Sequence, residues 1–236
     1  MTKIDWLNYW DKKNIWTESS LWKKNNDIFF KKTSKILNYN KEDIVLDVGC
    51  GNGDFANKVL YKVNQVFCLD TSQEYINICN SRFKNAKNVK VFKLNHNYTD
   101  LSFLETNSKF SIIMANSVVQ YYRTQEEIID LVKSVKKISK QNALFLISDI
   151  ETLNSKKSYI KLIYQSVIEG YFFSLAKMGF RLFLSDEYSK TEKSQPVLKV
   201  DFNKLIIDLS QLVRKVRILE ENITVNANRK HLLLEL

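Results

Sequence analysis

The placement of glycine constrains this chain more than any other feature. Only five glycines occur in 236 residues, and three of them, Gly49, Gly51 and Gly53, alternate directly behind the apolar run Ile44–Val48. A residue without Cβ belongs where backbone must take φ > 0 or approach a ligand closely. The run before the glycines reads as a buried strand and residues 54–61 as a helix, so the spacing predicts a strand-to-helix turn. Such a turn aims free N–H groups and a helix dipole at whatever lies above it.

The chain continues in a βα rhythm. Residues 66–70, 89–94, 110–114 and 143–147 read as further strands, with helices over 72–83 and 125–137. Strands alternating with helices argue a parallel sheet covered on both faces, with ligands beyond the carboxyl ends of the strands. Asp47 precedes the glycine turn, while Asp70, Asn95, Asn116 and Asp149 mark or follow strand ends, so the polar residues collect on one edge.

Beyond residue 150 the pattern changes. One long helix is expected over 155–178, ended by Gly179, followed by a polar, mobile stretch over 185–195 that Pro196 closes. A helix from Asp201 or Asn203 to Leu212 and strands over 213–219 and 229–236, joined by an Asn-rich turn, complete the chain. The expectation is an α/β fold in a single domain. A seven-stranded, mostly parallel sheet with an antiparallel C-terminal pair carries helices on both faces. Residues 1–40 form an N-terminal helical cap, 41–150 the core, 151–200 an insertion that walls a pocket, and 201–236 the terminal helix and strand pair.

All four tryptophans, Trp6, Trp10, Trp16 and Trp22, lie in the cap, with an amphipathic segment over 20–37. Two readings stay open. The rings are the buried face of helices lying on the core, or some of them, Tyr9 and Trp10 first, close over a ligand as a lid. Aromatic faces would suit a cationic group.

The net charge of +10 invites a nucleic-acid reading, but only six of the 36 basic residues are Arg. Arg is the residue suited to bidentate phosphate and base contacts, so Lys scattered among Asn and Ile reads as the product of an AT-rich genome. No uncharged apolar run approaches the ~20 residues a bilayer span requires. Asp5, Asn8 and Asp11 interrupt any signal-peptide core. The expectation is a cytoplasmic protein with no membrane insertion and with Cys50, Cys68 and Cys79 reduced in the core. Monomer and homodimer are both open.

A dehydrogenase fingerprint would need glycine at 54, where Asp54 stands, and the Gly-Lys-Ser/Thr of a phosphate loop is absent. Asp47 would repel an anion and welcome an ammonium group. Val-Leu-Asp-Val-Gly-Cys-Gly-Asn-Gly at 45–53 resembles motif I of the class I S-adenosylmethionine-dependent methyltransferases, which share a Rossmann-like core. Phe67-Cys68-Leu69-Asp70 resembles their second motif and residues 110–117 their fourth.

The resemblance implies S-adenosyl-L-methionine as cofactor and S-adenosyl-L-homocysteine as product. Asp47 would face the methionine ammonium, Gly49, Cys50, Gly51 and Gly53 the methionine and ribose, and Asp70, with Thr71 beside it, the ribose hydroxyls. Asn95, with His96 next to it, or alternatively Asn97, falls where the family places an acidic residue near adenine. Ala115 and Asn116 would line the methionine part. Candidate proton acceptors are His96, Asp149 and Tyr121, and candidate acceptor contacts are Gln120, Tyr121, Tyr122 and Asp149. No cluster has metal-ligand spacing.

Residues 116–119 read Asn-Ser-Val-Val, without the prolines typical of base-amine methyltransferases, and no cysteine follows the single proline. The sequence therefore points to a bacterial enzyme for a small polar acceptor, with oxygen as nucleophile. A sugar, a surface-polysaccharide substituent or a specialised metabolite fits. An RNA or protein methyltransferase and a non-catalytic cofactor-binding partner remain as alternatives.

Overall fold

The computed structural model describes residues 5–17, 19–95, 98–104, 109–153 and 158–236. The chain enters through α1 (Trp6–Trp10) and α2 (Ser20–Leu37). Ser19 caps α2 by accepting from the Trp22 N–H, and Asn38 ends it in the left-handed region. Then come β1 (Ile44–Val48), α3 (Asp54–Val59), β2 (Gln65–Asp70), α4 (Gln73–Arg82), β3 (Val89–Lys93) and β4 (Phe110–Asn116). Next, α5 (Gln125–Ile138) opens on a capping box between Thr124 and Glu127 and leads into β5 (Ser139–Ile150). The last part comprises α6 (Tyr159–Ile168), α7 (Phe172–Phe183), α8 (Asp186–Ser194), α9 (Phe202–Ser210), β6 (Lys215–Ile218) and β7 (Lys230–Glu235).

The seven strands form one sheet in the order β3-β2-β1-β4-β5-β7-β6. β1 to β5 run parallel, and β7 is antiparallel to both β5 and β6. This is the architecture expected from the alternation of apolar runs and helices. Side chains alternate across β2: Val66 and Cys68 face α2 and α3, while Phe67 and Leu69 face α5 and α9. Both faces are therefore packed, which is why the strands read as continuous apolar runs. The three cysteines are buried and free.

The order of strands places a switch point between β1 and β4. β2 and β3 extend the sheet to one side, and β5, β7 and β6 to the other, so a crevice opens above the carboxyl ends of β1 and β4.

The region after β5 departs from expectation. The long helix over 155–178 is two helices, because Gly170 takes φ 71° and turns the chain between α6 and α7. Gly179 lies inside α7 rather than ending it. The stretch expected to be mobile contains α8, whose start is fixed by Ser185 accepting from the Tyr188 N–H, with Asp186 and Glu187 in the first turn.

Candidate functional site

The glycine turn is built by its own hydrogen bonds. Gly49 and Cys50 both donate their N–H to the Leu69 carbonyl, at 2.7 and 2.9 Å, tying the turn to the end of β2. Gly51 N–H donates to Asp70 Oδ2 and Ser72 N–H to Asp70 Oδ1, each at 2.8 Å. Gly49, Gly51 and Gly53 all have positive φ, which an L side chain adopts only at a cost. A Cβ on Gly49 would lie 2.3 Å from Val118 Cγ2, so β4's following turn can close on the glycine only because it is bare.

A first cavity opens above this turn. Val48, Gly49, Gly51, Asp70 and Thr71 form one side, and Asn116, Ser117 and Val118 the other. Aromatic rings roof it: Trp6, Trp10 and Trp22 from the N-terminal helices, with Tyr75, Tyr98 and Tyr121 around the rim. Trp10 packs 5.3 Å from Tyr121 and 6.3 Å from Tyr75, centroid to centroid, so these rings form one continuous surface.

Two buried carboxylates sit here: Asp70 lines the cavity, and Asp47, one residue before Val48 in β1, lies beneath it without lining it. Burial, and then the neighbouring Asp70, push Asp47 up to about 7. Burial pushes Asp70 up to about 6, against the N–H groups of Ser72, Gly51 and Thr71, which stabilise its anion. Asp47 Oδ2 is buried with no hydrogen-bond partner. A buried carboxylate oxygen without a partner is costly and calls for a donor.

These residues fit S-adenosylmethionine. Asp47 offers its orphan oxygen to an ammonium, directly or through water. Asp70 uses one lone pair on each oxygen for backbone N–H groups and keeps further acceptor capacity for a pair of hydroxyls. Thr71 and Asn116 also line the cavity. Asn116 Oδ1 accepts from Ser148 Oγ at 2.7 Å, which sets the amide's orientation.

Other candidate residues are placed differently. Cys50, Gly53 and Ala115 underlie the site without lining a cavity; Gly53 caps the start of α3. Tyr9 is buried beneath the roof against Trp6, Trp10 and Tyr188, so it supports the rings rather than facing the cavity. Asn95 is exposed and lines neither cavity. His96 and Asn97 lie outside the described residues.

A second cavity of about 290 Å³ adjoins the first. Trp10, Trp22, Ser117 and Tyr121 line both. Asp149, Glu151 and Gln120 form the sheet side, and Leu162, Leu175, Met178 and Leu182 of α6 and α7 form the opposite wall. Tyr121 is half-buried, and desolvation of its hydroxyl holds it well above the usual phenol range, so it stays a neutral donor. Tyr122 is packed on Tyr98, with centroids 4.9 Å apart, and reaches only the first cavity.

Asp149 is held on every side. Ser117 Oγ donates to its Oδ2 at 2.5 Å and Thr224 Oγ1 to its Oδ1 at 2.6 Å. Its own N–H donates to His231 Nδ1 at 3.2 Å, so the His231 proton resides on Nε2 and is given to Asn222 Oδ1 at 2.9 Å. Burial lowers His231 to about 4, so it is a neutral support at physiological pH. Thr224, His231 and Asn222 come from the turn and strand at the chain's end, and nothing local in sequence ties them to Asp149. Trp22 and Ser117 were likewise not among the expected site residues. Among the described residues no cluster of His, Cys, Asp or Glu could hold a metal ion.

Comparison with known proteins agrees with this geometry. Residues 45–142 match a family described as methyltransferase domain. A ribosomal RNA small subunit methyltransferase H from Ureaplasma parvum is 35% identical over 71 residues, covering 29% of this chain and 23% of that protein. The chain thus matches less than a quarter of that relative's length. A probable cobalt-precorrin-6B C(15)-methyltransferase (decarboxylating) from Methanococcus maripaludis is 27% identical over 136 residues, covering 53% of this chain and 70% of that protein. Among solved structures, a SAM-dependent methyltransferase from Methanosarcina mazei superposes with a TM-score of 0.58 at 17% identity, over 85% of this chain and 96% of that one. The chain thus shares the fold of that solved methyltransferase, and its residues 45–142 resemble the methyltransferase-domain family.

Proposed function

We propose that the protein transfers a methyl group from S-adenosylmethionine to an oxygen of a small polar acceptor held in the second cavity. The observation that carries this reading is the shared lining of the two cavities by Trp10, Trp22, Ser117 and Tyr121. When bound, the cofactor supplies an electrophilic methyl group on a sulfonium, a good leaving group. The chain's own part is to hold the two partners in line and to keep water out. The Trp and Tyr rings exclude water, and Tyr121 spans both cavities. Asp149, oriented by Ser117 and Thr224, takes the proton from the acceptor hydroxyl.

A cavity of about 290 Å³ walled by α6 and α7 suits a sugar, a polysaccharide substituent or a specialised metabolite better than a polymer. The experiment is transfer of tritiated methyl from S-adenosylmethionine to pooled metabolites, nucleotide sugars and total RNA. Label in a small hydroxylated product is expected. Label in RNA alone would overturn the reading, and cofactor binding without transfer to any pool would point to a non-catalytic partner.

A further inference from the structure

Helices α6 and α7 are apolar in both directions. Inward, Leu162, Leu175, Met178 and Leu182 wall the second cavity. Outward, Ile160, Phe173 and Phe183 are 83%, 86% and 85% exposed, and Tyr159, Tyr164, Val167, Ile168 and Phe180 are each more than half exposed. With roughly 150–250 Å² available on each large ring, this face approaches 10³ Å², against about 300–600 Å² for the largest apolar patch on an ordinary soluble monomer. The same chain buries Ile128, Leu131, Val132 and Val135 of α5 completely, so its packing elsewhere is ordinary. A helix whose large apolar side chains stay exposed beside a polar stripe, as in α7 with Ser174, Lys177 and Arg181, has an apolar surface that something covers.

Charge decides what covers it. Over Tyr159–Ile168 and Phe172–Phe183 the only charged residues are Lys161, Lys177 and Arg181, all basic. Among the described residues none of the three is in a salt bridge. Of the acids flanking the two helices, Glu169 at the end of α6 is taken by Lys32 at 3.1 Å and Glu187 in the first turn of α8 by Lys12, while Asp186 stands outside the stripe, beyond the end of α7. Lys177 falls four residues after Phe173 and three before Phe180, which puts it inside the exposed stripe. A second copy docked face to face would bury this ammonium against an identical stripe that carries basic residues and no acid within either helix. An anionic lipid surface resolves both demands. Rings and aliphatic chains sit at the acyl boundary, and long basic side chains reach out to the phosphates. Among the described residues no helix is long and apolar enough to cross a membrane, so the contact lies on the bilayer and not through it.

We infer that the outer face of α6 and α7 docks on an anionic lipid bilayer surface. The inference stands apart from the methyl-transfer reading. Taken together with that reading, it sets the wall of the acceptor cavity against the bilayer, a position suited to an acceptor carried on a lipid.

The test is flotation of the full chain with vesicles of phosphatidylcholine alone and of phosphatidylcholine mixed with phosphatidylglycerol, at low and high salt. Binding to the anionic vesicles, weakened by salt, is expected. Phe173→Glu combined with Phe183→Glu should abolish it, and Lys177→Glu combined with Arg181→Glu should lower partitioning roughly tenfold or more. Phe173, Lys177 and Phe183 are exposed and Arg181 is half-buried, and circular dichroism with thermal melts checks that each variant keeps its fold. Absence of vesicle binding, equal binding to neutral vesicles, or full binding by the folded Phe variant would overturn the inference. So would a concentration-dependent dimer that the Phe variant dissolves in a chain that ignores lipid, which would make the face a contact between copies.

Discussion

Ser117 Oγ donates to Asp149 Oδ2 at 2.5 Å, and both residues hold positive φ, 59° and 63°. Non-glycine residues cost about 1–2 kcal/mol each in the left-handed region, so this pair at the ends of β4 and β5 is strained by design of the site. The strain aims both side chains into the second cavity. Asp149→Asn keeps an oxygen for Thr224 but turns an amide toward Ser117 and removes the proton acceptor. The turnover number should fall by roughly 10²–10⁴, while cofactor affinity stays unchanged. Single-turnover methyl transfer and calorimetry separate the two. Lost cofactor binding would move Asp149 from acceptor chemistry to cofactor support.

Gly53 and Gly170 share positive φ, 76° and 71°, but differ in surroundings. A Cβ on Gly53 would lie 2.6 Å from Phe83 Cε2, whereas one on Gly170 meets nothing within 4 Å. Gly170→Ala should cost only the left-handed strain, about 1–2 kcal/mol. Gly53→Ala should cost about 1–3 kcal/mol more, because the buried Phe83 ring must move as well. Urea midpoints of the two variants check the order, and equal destabilisation would show that Phe83 yields freely.

How much of this was legible in sequence follows from the range of each interaction. The glycine turn, Asp47, Asp70 and the first five strands are written in contiguous stretches, where periodicity and missing side chains speak directly. The break at Gly170 is hidden in the sequence because large apolar residues stand close on both sides of it, Val167 and Ile168 before and Tyr171, Phe172 and Phe173 after, so composition does not mark the boundary. Gly179, though the later glycine, is helical. Helix α8 was hidden by polar composition, although Ser185 with Asp186 and Glu187 is an N-terminal signal. The support of Asp149 by Thr224 and His231 spans 75 and 82 residues, and no local pattern announces such a contact.

The Trp-rich cap divides into support and roof. Trp6 is 1% exposed and touches Tyr9, Tyr121 and Tyr188. Trp6→Ala should therefore destabilise the fold by about 3–5 kcal/mol. Trp10 is half-buried at the rim of both cavities, so Trp10→Ala should weaken cofactor binding more than it lowers stability. Chemical denaturation and cofactor titration of the pair of variants distinguish these roles. Equal cofactor affinity in wild type and Trp10→Ala would reduce that ring to packing.

The pair Asp47 and Asp70 predicts opposite pH trends for ligand affinity and stability. Asp47 is raised to about 7 in the fold, so the native state holds a proton that the unfolded chain releases near its ordinary value of 3.8. Stability therefore falls as pH rises through that window, and the full cost of a buried charge is present above it. Cofactor affinity moves the other way, because the ammonium favours the ionised carboxylate. It should strengthen by up to about tenfold per pH unit between about pH 6 and 7 and level off above. Binding below pH 7 should release protons, seen as a dependence of the calorimetric enthalpy on buffer ionisation. Asp70, raised to about 6, adds in the same direction at lower pH. His231, lowered to about 4, adds a stability slope of opposite sign, lost as pH falls from about 6.5 toward 4, and does not line the cofactor cavity. Asp47→Asn isolates the effect. It should flatten the affinity profile above about pH 6 and remove the proton release, while leaving the His231 slope in place. An unchanged profile in this variant would take the ammonium away from Asp47.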